Sequence, residues 1–221
     1  MSSLQVAIID CGMGNLFSVK LACERAGLSP VVTSDKRDIL TAAAVVLPGV
    51  GAFGTAMDTL KKLDLVEPLR DVAASRTLLV GICLGMQLLM TESREFGLQK
   101  GLNIVEGEVV RLESYNSEQR CKVPQVGWNR IFRANGTWHR SPLEGLAEGE
   151  FMYFVHSFYC KPADPAAVMS TTRYGALEFC SSLKHRNVLA FQFHPERSGP
   201  QGLAIYRNLA SIMTNLPETN G

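Results

Sequence analysis

The 221-residue sequence predicts an α/β protein, a three-layer, doubly wound, mostly parallel sheet with antiparallel additions. Three observations lead there. Apolar, strand-like runs alternate with helix-period segments through the first part of the chain, joined by short turns. One of those runs, Leu78 to Ile82, ends in Cys83-Leu84-Gly85 and passes at once into helix-forming residues. After Gly97 the alternation gives way to successive β-like stretches with turn residues between them. The composition fits a globular chain with a sizeable core, 46% apolar and 19% charged. A net charge of +1 offers no electrostatic footprint for nucleic acid or a membrane surface. No linker, repeat or low-complexity tract divides the chain, so residues 1–221 are read as one domain.

Val6 to Asp10 reads as a buried strand, Cys11-Gly12-Met13-Gly14-Asn15 as a glycine-rich turn, and Leu16 to about Ala26 as a helix. The turn falls short of a dinucleotide fingerprint, because Phe17 holds the third glycine position. Pro30 to Thr33 and Ala43 to Leu47 are the next strands. The second of them ends in a loop, Pro48-Gly49-Val50-Gly51-Ala52-Phe53-Gly54, whose glycines permit close approach to a ligand. Helices follow over Thr55–Lys62 and Leu65–Ala74, then the Leu78 strand and a helix from Met86 to Met90. Beyond Gly97, Ile104–Leu112 reads as a strand pair or bent strand. Val123–Phe132, Glu150–Cys160, Val168–Tyr174, Ala176–Ser181 and Val188–Phe193 are further strands, built onto the end of the parallel sheet. Gly202 to about Asn215 is an amphipathic helix with Leu203, Tyr206, Leu209, Ala210 and Met213 on one face.

Gly81-Ile82-Cys83-Leu84-Gly85 has the form of a nucleophile elbow with cysteine in the serine's usual place. A tight strand-to-helix turn brings backbones together, so residues without Cβ flank the nucleophile. A helix start also offers N–H groups and a positive dipole end that favour a thiolate. The six cysteines show no C-x-x-C pair and no metal-like spacing, and no secretory leader or membrane-length apolar run is apparent. They are expected to be reduced thiols in a cytoplasmic protein without a metal or cofactor.

A cysteine nucleophile needs a base, and the base needs an orienting group. Of the four histidines, His139 looks like a loop residue and His185, between Lys184 and Arg186, like an exposed turn residue. His194 ends a strand, where an open α/β sheet places its chemistry. Pro195 fixes the turn and holds Glu196 two residues on, within reach of the imidazole nitrogen that faces away from the thiol. An acyl-transfer site further needs oxyanion donors. The N–H of Leu84 is one by the geometry of an elbow, and the Pro48–Gly51 loop is the best source of a second.

These residues resemble a known family. Gly-Ile-Cys-Leu-Gly-Met-Gln at 81–87 with Phe-His-Pro-Glu at 193–196 is similar to the signature pair of class I glutamine amidotransferases, which have a flavodoxin-like fold. Asp10 to Leu16, Pro124 to Asn129 and Tyr153 to Ser157 look, within that family, like the glutaminase subunits that serve imidazole glycerol phosphate synthases in histidine biosynthesis. The resemblance runs from about Val6 to Asn208. It implies hydrolysis of L-glutamine to glutamate and ammonia, and delivery of the ammonia to a (β/α)₈-barrel synthase subunit in a heterodimer. It implies Cys83 as nucleophile, His194 as base and acid, Glu196 as orienter, and Val50 and Leu84 as oxyanion donors. Gly51, Gln87 and Glu95 would bind the glutamine head group, with backbone from His156, Ser157 and Phe158. Gln87 lies one helical turn past Cys83 on the same face. Asn15, Trp128, Tyr153 and Arg197 would meet the partner, although composition alone would place Trp128 and Tyr153 in the core. Two positions depart from the relatives' usual pattern, Gln125-Val126 in place of His-Met and Arg197 in place of Lys. The first of them keeps open a paralogous subunit feeding another barrel, for example in amidination of a cell-surface sugar. A non-catalytic subunit that only stabilises its partner is the other alternative, set against an intact Cys83, His194 and Glu196.

Overall fold

The structure, a computed structural model, describes residues 4–12, 14–113, 115–116 and 119–214. Met13 of the glycine-rich turn and Asn215 at the expected end of the last helix lie outside them. The chain opens with β1 (Gln5–Ile9), α1 (Leu16–Arg25), β2 (Ser29–Thr33), α2 (Lys36–Thr41), β3 (Ala44–Gly49), α3 (Phe53–Lys62) and α4 (Val66–Ala74). It continues with β4 (Leu78–Cys83), α5 (Leu84–Leu88), β5 (Met90–Ser93), β6 (Gln99–Lys100), β7 (Val105–Arg111), β8 (Tyr115–Asn116) and β9 (Gln119–Arg120). Then come β10 (Gln125–Arg133), β11 (Glu150–His156), β12 (Phe158–Pro162), β13 (Val168–Tyr174), β14 (Leu177–His185), β15 (Val188–Phe191) and α6 (Gly199–Thr214).

Nine strands form the main sheet in the order β11-β10-β13-β14-β15-β4-β3-β1-β2. The pairs from β15 through β4, β3 and β1 to β2 are parallel, and those from β15 outward to β11 are antiparallel. The central strands are apolar throughout because both faces are covered. Their residues divide with period two. Ala7, Ile9, Val45, Leu47 and Leu79 pack with Ile39 of α2, Phe53 and Leu60 of α3 and Leu69 of α4. Val6, Ile8, Val46, Val80 and Ile82 pack on the opposite face with Val19 of α1 and Ile205, Tyr206 and Leu209 of α6. That is the three-layer, doubly wound architecture expected from the alternating pattern. The β-rich remainder also forms a second, four-stranded sheet, β12-β7-β5-β6, against the first of these cores.

Several boundaries differ from the sequence expectation. The short helix α2 was not anticipated, although Asp35 marks its start by accepting the Arg37 N–H at 2.7 Å. Pro48 and Gly49 belong to β3, so the loop after that strand starts at Val50. Ile104–Leu112 holds one strand, β7, not a pair. His185 is the last residue of β14 and half-buried, not exposed in a turn. The helix expected over Met86–Met90 stops at Leu88, and Met90 opens β5. The reason is tertiary. Residues 102–105 send N–H groups to the Leu88, Leu89 and Met90 carbonyls at 2.8–3.1 Å. These bonds capture the acceptors that a continuing helix would have used.

Candidate active site

The carboxyl ends of β3, β4 and β15 meet where the chain leaves the parallel sheet, and the expected chemical residues gather there. Cys83 ends β4 with φ 55° and ψ −110°, a strained conformation for a residue with a side chain. Its neighbours enforce it. A Cβ on Gly85 would lie 1.7 Å from the Leu47 carbonyl oxygen, so α5 can seat against β3 only with glycine there. His194 is positioned by an equally close approach. A Cβ on Gly202 of α6 would lie 1.9 Å from the Pro195 carbonyl oxygen. The turn is fastened from both sides, because the His194 N–H donates to the Tyr153 carbonyl at 2.9 Å. Ser198 Oγ accepts the Tyr153 N–H at 3.0 Å and donates to the His194 carbonyl at 2.7 Å.

Within this frame the imidazole Nδ1 of His194 donates to Glu196 Oε1 at 2.7 Å, and both side chains are buried. Burial opposes a charge on His194. The Cys83 sulfur as a thiolate and the Glu196 carboxylate outweigh it, and the pKa of His194 rises to about 10. The imidazole therefore holds a proton at neutral pH.

Cys83 opens onto a cavity of about 230 Å³ lined by Val50, Gly51, Leu84, Gln87, Glu95, Val155, His156, Ser157, Phe158 and Pro124. All the residues expected around the substrate thus surround one space, whose lining does not include His194 or Glu196. Some already have internal partners. Glu95 Oε2 accepts the Phe53 N–H at 2.6 Å and so supplies the N-terminus of α3 with the acceptor that its own cap residue, Ala52, lacks. Gln87 is buried and its amide nitrogen donates to the Phe158 carbonyl at 2.9 Å and to Gln192 Oε1 at 3.2 Å. The Ser157 carbonyl accepts from Leu112 at 2.8 Å. Pro124, Val155 and Gln192 were not singled out from sequence. A strand carbonyl and a strand-end glutamine carry no local signal; Gln192 reaches the sulfur through the register of β15 with β4, and Val155 comes from β11, at one edge of the sheet.

His156 Nδ1 donates to the Phe158 carbonyl at 2.8 Å, and its Nε2 is buried without a hydrogen bond among the aromatic rings of Phe154 and Phe179. Burial pushes its pKa down to about 4, against the raising effect of the Phe158 carbonyl and with help from the His194 charge. The unfolded chain therefore takes up a proton near pH 6.5 that the folded chain refuses until about pH 4. The His156 contribution to stability should be full above pH 6.5 and be lost as pH falls through that window, by about 3 kcal/mol in all. Urea unfolding midpoints measured across it should decline in the wild type and decline less in His156→Phe. Parallel declines in the two proteins would count against this assignment.

Three of the four residues expected to meet a partner, Trp128, Tyr153 and Arg197, lie side by side. Trp128 on β10 is 55% exposed and stands edge-on to Tyr153 on β11, with ring centroids 6.0 Å apart. The Arg197 guanidinium sits over the Tyr153 ring at 4.4 Å. Trp128 is therefore a surface residue and not the core aromatic that composition suggests. Asn15 is exposed but has an internal task as the cap of α1, accepting the Ser18 N–H at 3.2 Å. Phe17 at 76% and Val126 at 60% exposure are large apolar side chains in solvent that sequence reasoning did not select.

The family profile for class I glutamine amidotransferases matches residues 7–212. The chain belongs to the class I glutamine amidotransferases. Relatives of this amidotransferase include two proteins named imidazole glycerol phosphate synthase subunit HisH. The one from Geobacter metallireducens is 44% identical over 207 residues, covering 93% of this chain and 97% of that protein. The one from Syntrophotalea carbinolica is 47% identical over 211 residues, covering 94% of this chain and 100% of that protein. Solved structures that share the fold include PurLQS from Thermotoga maritima, with a TM-score of 0.67 and 20% identity over 95% of this chain and 98% of that one. The glutaminase domain of Trypanosoma brucei CTPS gives a TM-score of 0.68 with 14% identity over 96% of this chain and 94% of that one. Among the described residues of this amidotransferase no helix is long and apolar enough to cross a membrane.

Proposed function

We propose that this amidotransferase is the glutaminase subunit of an imidazole glycerol phosphate synthase, a cytoplasmic protein working as one domain and needing no cofactor. The observation that carries the reading is an elbow cysteine that opens onto a cavity and interacts with the buried His194–Glu196 couple, in a chain aligned nearly end to end with the HisH proteins from Geobacter metallireducens and Syntrophotalea carbinolica.

The chemistry follows from the geometry. An amide is a poor electrophile, so the Cys83 sulfur attacks the γ-carbonyl carbon of glutamine while N–H groups of Val50 and Leu84 take the charge developing on oxygen. The carbon–nitrogen bond breaks as the imidazolium of His194 gives its proton to the nitrogen, which leaves as ammonia. A γ-glutamyl thioester remains. His194, now neutral, takes a proton from water, whose oxygen attacks the same carbon and frees glutamate and the thiolate. Glu196 holds the imidazole orientation through both steps. Glu95 and Gly51 face the space where the substrate's α-amino acid end would lie, and Glu95 suits its ammonium.

An ammonia generator separated from its synthase would waste glutamine. We therefore read the exposed Val126, Trp128 and Tyr153–Arg197 face as the seat of a (β/α)₈-barrel subunit that accepts the ammonia. Coupling runs through Val50, next to Gly49 at the end of β3. Turning the Gly49–Val50 peptide completes the oxyanion hole, and Gly49 lacks the Cβ that would press on Leu84 at 3.1 Å. The expected result is weak glutaminase activity when the subunit is isolated. With a barrel subunit bound to its ribonucleotide, the activity should rise by at least about 100-fold, a coupling of nearly 3 kcal/mol. Equal glutamate release by the loaded complex and the isolated subunit would sink the reading.

A further inference from the structure

The elbow alone supplies little for an anionic sulfur, because α5 is only five residues long. A neighbouring side chain supplies more. Gln192 follows β15, is wholly buried, and its amide nitrogen lies 3.7 Å from Cys83 Sγ. The direction of that contact is fixed by a chain of hydrogen bonds anchored on the main chain. The Phe158 carbonyl can only accept, so the Gln87 atom 2.9 Å from it is the NH₂ group. The same NH₂ stands 3.2 Å from the Gln192 side chain, which must therefore present its oxygen there. The Gln192 NH₂ is left facing the sulfur. Turning Gln192 over would set two NH₂ groups against each other, and turning Gln87 over would set its oxygen against the Phe158 carbonyl.

Cys83 Sγ also lies 3.7 Å from the Val155 carbonyl, which can take an S–H proton but gives nothing to an anion. When Cys83 gives its proton to His194, the Val155 contact is lost and the Gln192 contact strengthens.

We propose that Gln192 is a catalytic residue, donating an amide N–H to the anionic sulfur of Cys83, and that Gln87 is a positioning residue that keeps the amide turned that way. The inference rests on Cys83 being the nucleophile of the proposed reaction. It also gives Gln87 a task other than direct contact with glutamine through its NH₂ group.

The titratable groups around the sulfur are His194 with Glu196 behind it, His156 on β11, Cys160 on β12 and Glu95 across the cavity. All are unchanged in the variants that test the proposal. The measurement is the rate of iodoacetamide alkylation of Cys83 as a function of pH, read by mass spectrometry on the Cys83 peptide of the full-length chain. In Gln192→Met, which keeps the side chain's length and removes its donor, the rate at neutral pH should fall about tenfold and the acidic limb move up by about one pH unit. In Gln87→Met, Gln192 stays but its amide is free to turn its oxygen to the sulfur, and the limb should move the same way by a smaller amount. If Gln192→Met does not fold, Gln87→Met decides alone. Limbs that coincide with the wild type in the folded variants overturn the proposal, because a merely structural glutamine would change stability and leave the limb in place. Glutamine hydrolysis by Cys83→Ala would instead overturn the nucleophile reading itself, so the two failures are distinguishable.

Discussion

Cys83→Ser should lose glutamine hydrolysis by at least about 10⁴-fold in the presence of a barrel subunit, while keeping its fold. The substitution leaves the elbow intact. Serine is close to cysteine in volume, can hold the same φ of 55°, and leaves Gly85 against Leu47. What changes is the nucleophile. A hydroxyl parts with its proton far less readily than a thiol, and the His194–Glu196 pair, poised as an imidazolium with a pKa of about 10, is arranged to keep a proton already taken from sulfur. The buried surroundings make the loss more severe, since Cys83 is 5% exposed and water gives an alkoxide no help there. Steady-state release of glutamate measures the loss, and thermal unfolding separates it from misfolding. Residual activity above about 1% in a folded Cys83→Ser protein would rule out the thioester route.

The extent to which this site could be read in the sequence depended on whether the signal was local. Cys83 with Gly81 and Gly85, and His194 with Pro195 and Glu196, each occupy one turn, so the constraints that shape them are written side by side in the chain. The parallel sheet was equally legible, because strands buried on both faces are apolar runs and their helices have a 3.6-residue period. The end of α5 was not. Met86 to Met90 are good helix formers, and what stops the helix is a set of N–H groups from residues 102–105. The exposure of Trp128 rests on tertiary structure in the same way. An aromatic residue on a strand is a core residue by composition, and only the pairing of β10 with β11 puts it in solvent beside Tyr153. Gln192 was invisible because its importance lies in Gln87, 105 positions away, and in a carbonyl on β12.

Glu196→Gln should reduce turnover by about 10²–10⁴-fold and move the alkaline limb of the kcat profile to lower pH. The carboxylate is deeply buried, and only its Oε1 is hydrogen-bonded, to His194. Its Oε2 has no partner, and neither has the hydroxyl of Tyr206. Burial, with the Glu196 charge adding to it, holds the Tyr206 phenol and the Cys23 thiol in their neutral forms, at well above the usual tyrosine range and about 12 respectively. Neither of these groups therefore stands in for the carboxylate, and His194 is its hydrogen-bonded counter-charge. An amide at position 196 can still accept from Nδ1, but it brings no charge, or it can turn its NH₂ to the ring and select the tautomer with the proton on Nε2. The sign of the pH effect follows. The wild-type imidazolium persists as pH rises until about 10, and it is the acid that protonates the departing nitrogen. Without the carboxylate the unfavourable effect of burial is opposed by the sulfur alone, so the imidazolium discharges earlier and the acid is lost at lower pH. Full pH profiles of kcat for the two proteins, each with the same barrel subunit, provide the comparison. An alkaline limb that stays in place while kcat falls would mean that Glu196 orients the ring without holding its charge.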